Sequence, residues 1–154
     1  AMVDAKAAEA TNILSEDQQS KVKRQVEFYF SVSNLPRDKF LREEIAKSPE
    51  GYVDLALICA FSRMRSLLKL TAPNCPVPPS MVKAVAEVLR KADSLSVSED
   101  GCRVKRAHAI ENLEEVEGEV DKRSLFVKPF PYDSTVDSLT AFFTTYGAVN
   151  CIRF

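Results

Sequence analysis

Residues 25–41 read QVEFYFSVSNLPRDKFL, and this stretch leaves the chain few ways to fold. Val22, Val26, Tyr29 and Phe30 fall at helical spacing, so a helix with one apolar face runs into it. Ser15, followed three residues on by Gln18, is a capping box that starts this helix, which is expected to reach about Phe30. Asn34-Leu35-Pro36 ends it, because proline lacks a backbone N–H and disfavours helical backbone in the residue before it. A second short helix is expected over Arg37–Lys47, with Leu41 and Ile45 inward.

The signals that follow extend this frame. Gly51 punctuates, and Tyr52-Val53-Asp54 reads as a short strand. Leu55–Phe61 and Ser62–Lys69 read as two short helices or one bent one. Thr71–Pro79 holds four prolines in nine residues and must be a loop. Ser80 is the expected cap of a helix over Met81–Lys91 with Val82, Val85, Ala86 and Leu89 inward. Leu95-Ser96-Val97 and Cys102-Arg103-Val104 alternate about the turn Ser98-Glu99-Asp100-Gly101, which predicts a β-hairpin. Helices, a short strand, a further helix and a terminal hairpin is the order of a winged helix, the hairpin being the wing.

Residues 108–121 contain six acids and no Lys or Arg, and read as a solvated acidic linker. Beyond it, Leu125–Lys128 reads as a strand, and Asp133 or Ser134 as the cap of a helix with Val136, Leu139, Phe142 and Phe143 on one face. Gly147 closes that helix, and Val149–Phe154 reads as a second strand. Residues 3–14 are alanine-rich and weakly helical, with Ala1 and Met2 read as a tag remnant. The expected division is therefore 1–14 lead-in, 15–107 winged helix, 108–121 linker and 122–154 a β-α-β unit.

The chemistry of 25–41 suits an unpaired nucleotide. Rings offer stacking faces, an amide can read a base edge, and a carboxylate accepts from ribose hydroxyls. The order of residues closely resembles the signature of the La motif, the RNA-binding module of La and La-related proteins. That motif is an elaborated winged helix, so the resemblance and the element order agree. The segment 122–154 resembles the first half of an RNA recognition motif, a ferredoxin-like fold. The implied class is α+β: a La motif followed by a partial RNA recognition motif. The two modules in this order look like a genuine La protein. Leu55–Cys59 and Phe61–Leu70 look closest to the plant type.

The resemblance implies roles residue by residue. Gln25 would read a uracil edge, and Tyr29 and Phe40 would give ring faces and edges to the terminal nucleotides. Asp38 would accept from the 2′- and 3′-hydroxyls of the last ribose. Phe61 would be a further pocket aromatic, Arg63 would face phosphate, and Asn34 would shape the turn. Phe28 stands where many family members have tyrosine, a departure that matters only if the missing hydroxyl touches RNA. Phe126, in the place of the first-strand motif of the second module, could stack on a base or be core. The third strand of such a module lies between the first and second, so Leu125–Lys128 and Val149–Phe154 would lack a ladder without it. The implied partner is single-stranded RNA ending in uridines, as on polymerase III transcripts such as transfer RNA precursors. The implied protein is a nuclear ribonucleoprotein component with some cytoplasmic shuttling. The alternative is a La-related protein using the same modules on a structured RNA, a stem-loop or a telomerase-type RNA. A DNA- or protein-binding winged helix is the remaining class. The helix 81–91 carries Lys83, Arg90 and Lys91 against Glu87, which does not single out DNA.

Composition bounds the rest. The 45% hydrophobic content argues against general disorder. Net charge is −1, yet residues 1–107 carry 17 Lys and Arg against 14 acids, and 108–154 carry 4 against 8. That is too weakly basic for binding by bulk charge, so recognition should be local. Cys59, Cys75, Cys102 and Cys151 are widely spaced around one histidine, His108, so neither a zinc site nor a cofactor is expected. Reduced thiols fit a reducing compartment. No apolar run approaches the roughly 20 residues of a membrane span, and no apolar core of signal-peptide type is seen. No nucleophile–base pair or phosphate loop points to an enzyme, and a monomer without a small-molecule substrate is expected.

Overall fold

The computed structural model describes residues 13–72 and 74–154. The lead-in therefore lies almost wholly outside the described residues. Helix α1 spans Glu16–Tyr29, and its capping box is formed: Ser15 Oγ accepts from the Gln18 amide at 3.2 Å, and Gln18 Oε1 accepts from the Ser15 amide at 3.1 Å. Glu16 and Asp17 in the first turn suit the positive end of the helix dipole. Val22, Val26 and Phe30 lie four residues apart on one face and are at most 1% exposed. A single 3-10 turn, Leu35–Arg37, follows with proline in its first positions, where no N–H is needed. Helix α2, Lys39–Ala46, starts at once from Asp38, so the expected single helix over 37–47 is split at Asp38.

Strand β1 (Val53–Asp54) leads into α3 (Leu55–Cys59), and α4 (Ser62–Leu67) follows. Helix α5 is Pro79–Leu89, preceded by Pro78. The cap expected at Ser80 falls inside the first turn instead, because Pro79 occupies the first helical position, which tolerates a missing N–H. Strands β2 (Leu95–Val97) and β3 (Arg103–Arg106) form the hairpin. The antiparallel sheet has the order β1-β3-β2, with Val53 and Val97 both opposite Val104. Gly101 takes φ +73° in the wing turn, a left-handed backbone that L side chains seldom adopt. This is the expected α+β winged helix. Its buried apolar residues all lie between Leu14 and Val104.

Cys59 is fully buried, and burial pushes its thiol up to about 12. Cys75 and Cys102 are exposed. At pH 8 a thiol-alkylating reagent should label Cys75 and Cys102 quickly and leave Cys59 unlabelled until the protein unfolds, since only thiolate reacts. Mass spectrometry of the labelled peptides reads this directly. Early labelling of Cys59 would mean that the α3 face is not buried.

The acidic stretch departs from expectation. It holds a helix, α6, over Leu113–Lys122, capped by Asn112, whose side chain accepts from the Glu115 amide. Leu113, Val116 and Val120 are partly buried, and α6 packs on the 3-10 turn. Acids in its first turn favour the helix, and Arg37 receives two of the others, with Nη2 2.6 Å from Asp121 Oδ1 and Nε 3.9 Å from Glu117 Oε1. In 122–154 only helix α7, Val136–Thr144, forms. Its cap is Thr135 rather than Asp133 or Ser134, because Thr135 and Ser138 satisfy each other's backbone amides. Both stretches read as strands, 125–128 and 149–154, carry no ladder, since neither has a strand partner. The ring pairs there are local: Phe142 with Phe143 and Tyr146, and Phe130 with Phe154. Arg153 nevertheless donates to the Ser33 carbonyl. Among the described residues no helix is long and apolar enough to cross a membrane.

Candidate RNA-binding site

The corner between α1 and α2 gathers the residues singled out by sequence. Tyr29 sits at the last helical position of α1, Phe40 in the first turn of α2, and Phe61 caps α4. Phe61 is the centre: its ring meets Tyr29 edge-on at 5.2 Å and 83°, and Phe40 at 6.0 Å and 65°. Phe28 reaches Tyr29 at 6.4 Å. Tyr29 and Phe61 are half-buried and rest on the core, whereas Phe40 is 49% exposed. Rings at right angles leave faces uncovered, which a flat base can occupy.

Polar groups converge on the same rings. Burial pushes the Tyr29 phenol above its ordinary value, and a hydrogen bond from Gln25 and the positive charge of Arg63 act the other way. Asp38 adds its negative charge to the same hydroxyl. Gln25, Tyr29, Asp38 and Arg63 therefore share one neighbourhood, with Gln25 one helical turn before Tyr29. Cys59 lies beneath it.

Asp38 is held on two sides. Its Oδ1 accepts from the Leu41 amide at 3.0 Å, capping α2, and its Oδ2 accepts from Asn34 Nδ2 at 3.0 Å. Asn34 Nδ2 also donates to the Tyr29 carbonyl at 2.9 Å, so one amide ties the end of α1 to the carboxylate. A carboxylate has about four lone-pair sites. Each oxygen uses one here, which leaves an acceptor site on each.

Phe126 does not join this group. It is 88% exposed, with Lys128 Nζ 5.7 Å from its ring centre. Two concavities of about 330 Å³ also lie elsewhere, one between α1 and the base of the hairpin and one between α1 and α5. The site is an open ring surface, so enclosed volume is a poor guide to it. Sequence reasoning missed Arg37, next to Asp38, as the anchor of α6. The four-residue spacing of Glu117 and Asp121, one helical turn, was the available signal.

Phe40→Ala should cost roughly 1–3 kcal/mol of oligouridine affinity, the usual worth of a stacked base, and leave the melting temperature nearly unchanged. Tyr29→Ala should lower both, because its ring also rests on the core. Gln25→Ala should reduce the preference for U over C or A more than overall affinity. Titrations with U-, C- and A-runs check all three. An unaltered base preference in Gln25→Ala would remove that residue from base reading.

Residues 22–91 match the family model described as "La domain". The chain is 44% identical over 140 residues to La protein 2 of Arabidopsis thaliana, covering 90% of this chain and 35% of that protein. It is 35% identical to La-related protein 7 of Danio rerio, covering 84% of this chain and 21% of that protein. It is 32% identical to the Lupus La protein homolog of Rattus norvegicus, covering 85% of this chain and 30% of that protein. The chain thus spans about a third or less of these relatives' length. The solved "La autoantigen N-terminal domain" superposes with a TM-score of 0.52 at 36% identity, covering 62% of this chain and 92% of that one. The corner of rings and its capping aspartate lie within the matched La domain, and the chain belongs to the La family of RNA-binding proteins.

Proposed function

We propose that this chain binds the UUU-3′-OH ends of new RNA polymerase III transcripts. In that role it shields them from exonucleases and assists folding and maturation of transfer RNA precursors in the nucleus, as a monomer and without catalysis. The observation that carries this is the Asp38 carboxylate, fixed by Asn34 and the Leu41 amide beside the Tyr29–Phe61–Phe40 cluster. An acceptor-only group with two open sites suits a free diol and disfavours a 3′-phosphate, which adds charge repulsion and removes a donor. It also disfavours DNA, which lacks one hydroxyl. The stacking faces contribute affinity with little base preference, so uridine selection falls to Gln25 and the closeness of the rings. Titrating fluorescent oligouridine with a 3′-hydroxyl against the same strand with a 3′-phosphate is the test. Tighter binding of the hydroxyl form is expected, and equal affinity would overturn end recognition. A second reading, a La-related role on structured RNA, is supported by the likeness to La-related protein 7. A stem-loop that outcompetes oligouridine would favour it.

A further inference from the structure

The outer face of the sheet carries a second constellation, remote in sequence from the corner of rings. Strand pairing places Val53 opposite Val104 and Asp54 opposite Arg103, so Tyr52 falls beside Lys105, on the face that Arg103 shares. Both cations stand over the one ring: Arg103 Cζ is 5.0 Å and Lys105 Nζ 4.6 Å from its centre. Neither side chain makes a hydrogen bond or an ion pair among the described residues, although Asp54 stands directly across from Arg103. The guanidinium rests on the ring and leaves its in-plane N–H fork unused. Asp100 feels the positive charge of Arg103, but its carboxylate is engaged within the turn, and no acid forms an ion pair with either cation among the described residues. Asp100 accepts from Ser98 Oγ at 2.6 Å and from the Cys102 amide at 3.0 Å, and Glu99 lies at the wing tip, with Asp100. Two like charges on a single ring repel, so the arrangement suits an anion that bridges them.

We propose that Tyr52, Arg103 and Lys105 form a second RNA contact, which holds backbone phosphates of the strand upstream of the 3′ end without reading sequence. It rests on the chain's binding RNA, but not on recognition of the 3′ end. A ring that positions two cations with no ion pair fits adjacent phosphates, with the fork of Arg103 giving paired N–H donors to one of them. Short oligouridine would fill the corner of rings and not reach the wing. Longer RNA would engage both.

The test uses the full chain and the variant Arg103→Gln/Lys105→Gln. Arg103 is exposed and Lys105 half-buried, so folding should survive, and a melting curve checks it. Three RNAs are titrated across a salt series: a four-nucleotide oligouridine with a free 3′-hydroxyl, an RNA with the same end extended 5′ to about 20 nucleotides, beyond one single-strand site of roughly 4–16, and that longer RNA with a 3′-phosphate. The variant should bind the short strand as the wild type does. It should bind both longer RNAs about tenfold more weakly, with a salt slope smaller by about 1.4, the loss of two phosphate contacts to a single strand. Tyr52→Ala should show the same pattern more weakly. Unchanged affinity and slope on both longer RNAs would overturn the proposal, as would equal loss on the short strand. Unchanged RNA binding with lost binding to a polyglutamate peptide would assign the face to an acidic protein instead and also overturn it. The phosphate-blocked RNA separates the two ideas. If end recognition alone is wrong, the wild type gains nothing from a free hydroxyl, yet the wing effect persists.

Discussion

Replacing Asp38 is expected to abolish discrimination between RNA ends. Asp38→Ala should weaken binding of 3′-hydroxyl oligouridine by about 1.5–3 kcal/mol, one to two orders of magnitude in Kd, as for hydrogen bonds to a charged group. Binding of the 3′-phosphate strand should change far less, because the repulsion is removed together with the acceptors. The same substitution strips α2 of its cap and leaves Asn34 Nδ2 with only the Tyr29 carbonyl. A stability loss of about 1 kcal/mol should accompany it. Asp38→Asn keeps an oxygen for the cap but sets an amide NH2 against that of Asn34, so it too should cost some stability. The decisive readout is therefore the ratio of the two affinities, which a change in the folded fraction cannot alter. A ratio preserved in both variants would leave Asp38 as a helix cap and nothing more.

The site was legible in sequence only in part. Asp38 alone reads as a cap, and it is one. The family likeness pointed to a ligand as well, and the geometry leaves room for that proposed role, since each oxygen keeps a free lone-pair site. Asn34 read as a turn residue, but its role as a strut between the Tyr29 carbonyl and Asp38 depends on the corner closing in space. Phe61 lies more than twenty positions from Phe40, and nothing local marks it as the ring that joins Tyr29 to Phe40.

The fold divides the same way. Elements set by local chemistry were readable: the Ser15–Gln18 box, the stop at Asn34-Leu35-Pro36 and the turn at Gly101. Elements whose existence depends on a partner were not. Helix α6 hid in a run of acids because charge suggested solvation. Yet Asn112 supplied a cap, and Leu113, Val116 and Val120 kept an apolar stripe. Leu125–Lys128 has a strand's composition and no strand's neighbours, and β-propensity largely expresses packing against neighbours.

The largest stability loss is expected from Phe30→Ala. Four aromatics crowd 28–40, and their neighbours in sequence differ sharply in surroundings. Phe30 is 1% exposed among Val22, Val26 and Leu41, while its carbonyl accepts from Arg106 of the wing. Removing the ring should cost about 3–5 kcal/mol through lost burial and an unfilled cavity. Against a total of roughly 5–15 kcal/mol, that is enough to leave the protein marginal at 25 °C. Phe40→Ala, at a half-exposed position, should stay within about 0.5 kcal/mol of the parent. Phe28 is partly buried and should fall between the two. Urea unfolding followed by circular dichroism measures all three on one scale. Similar midpoints for Phe30→Ala and Phe40→Ala would mean that the aromatic run is not divided between core and binding surface. The expected order is Phe30 well below Phe28, with Phe40 near the parent. It would assign the inner ring to holding α1 against the wing, and leave the outer ring free for RNA.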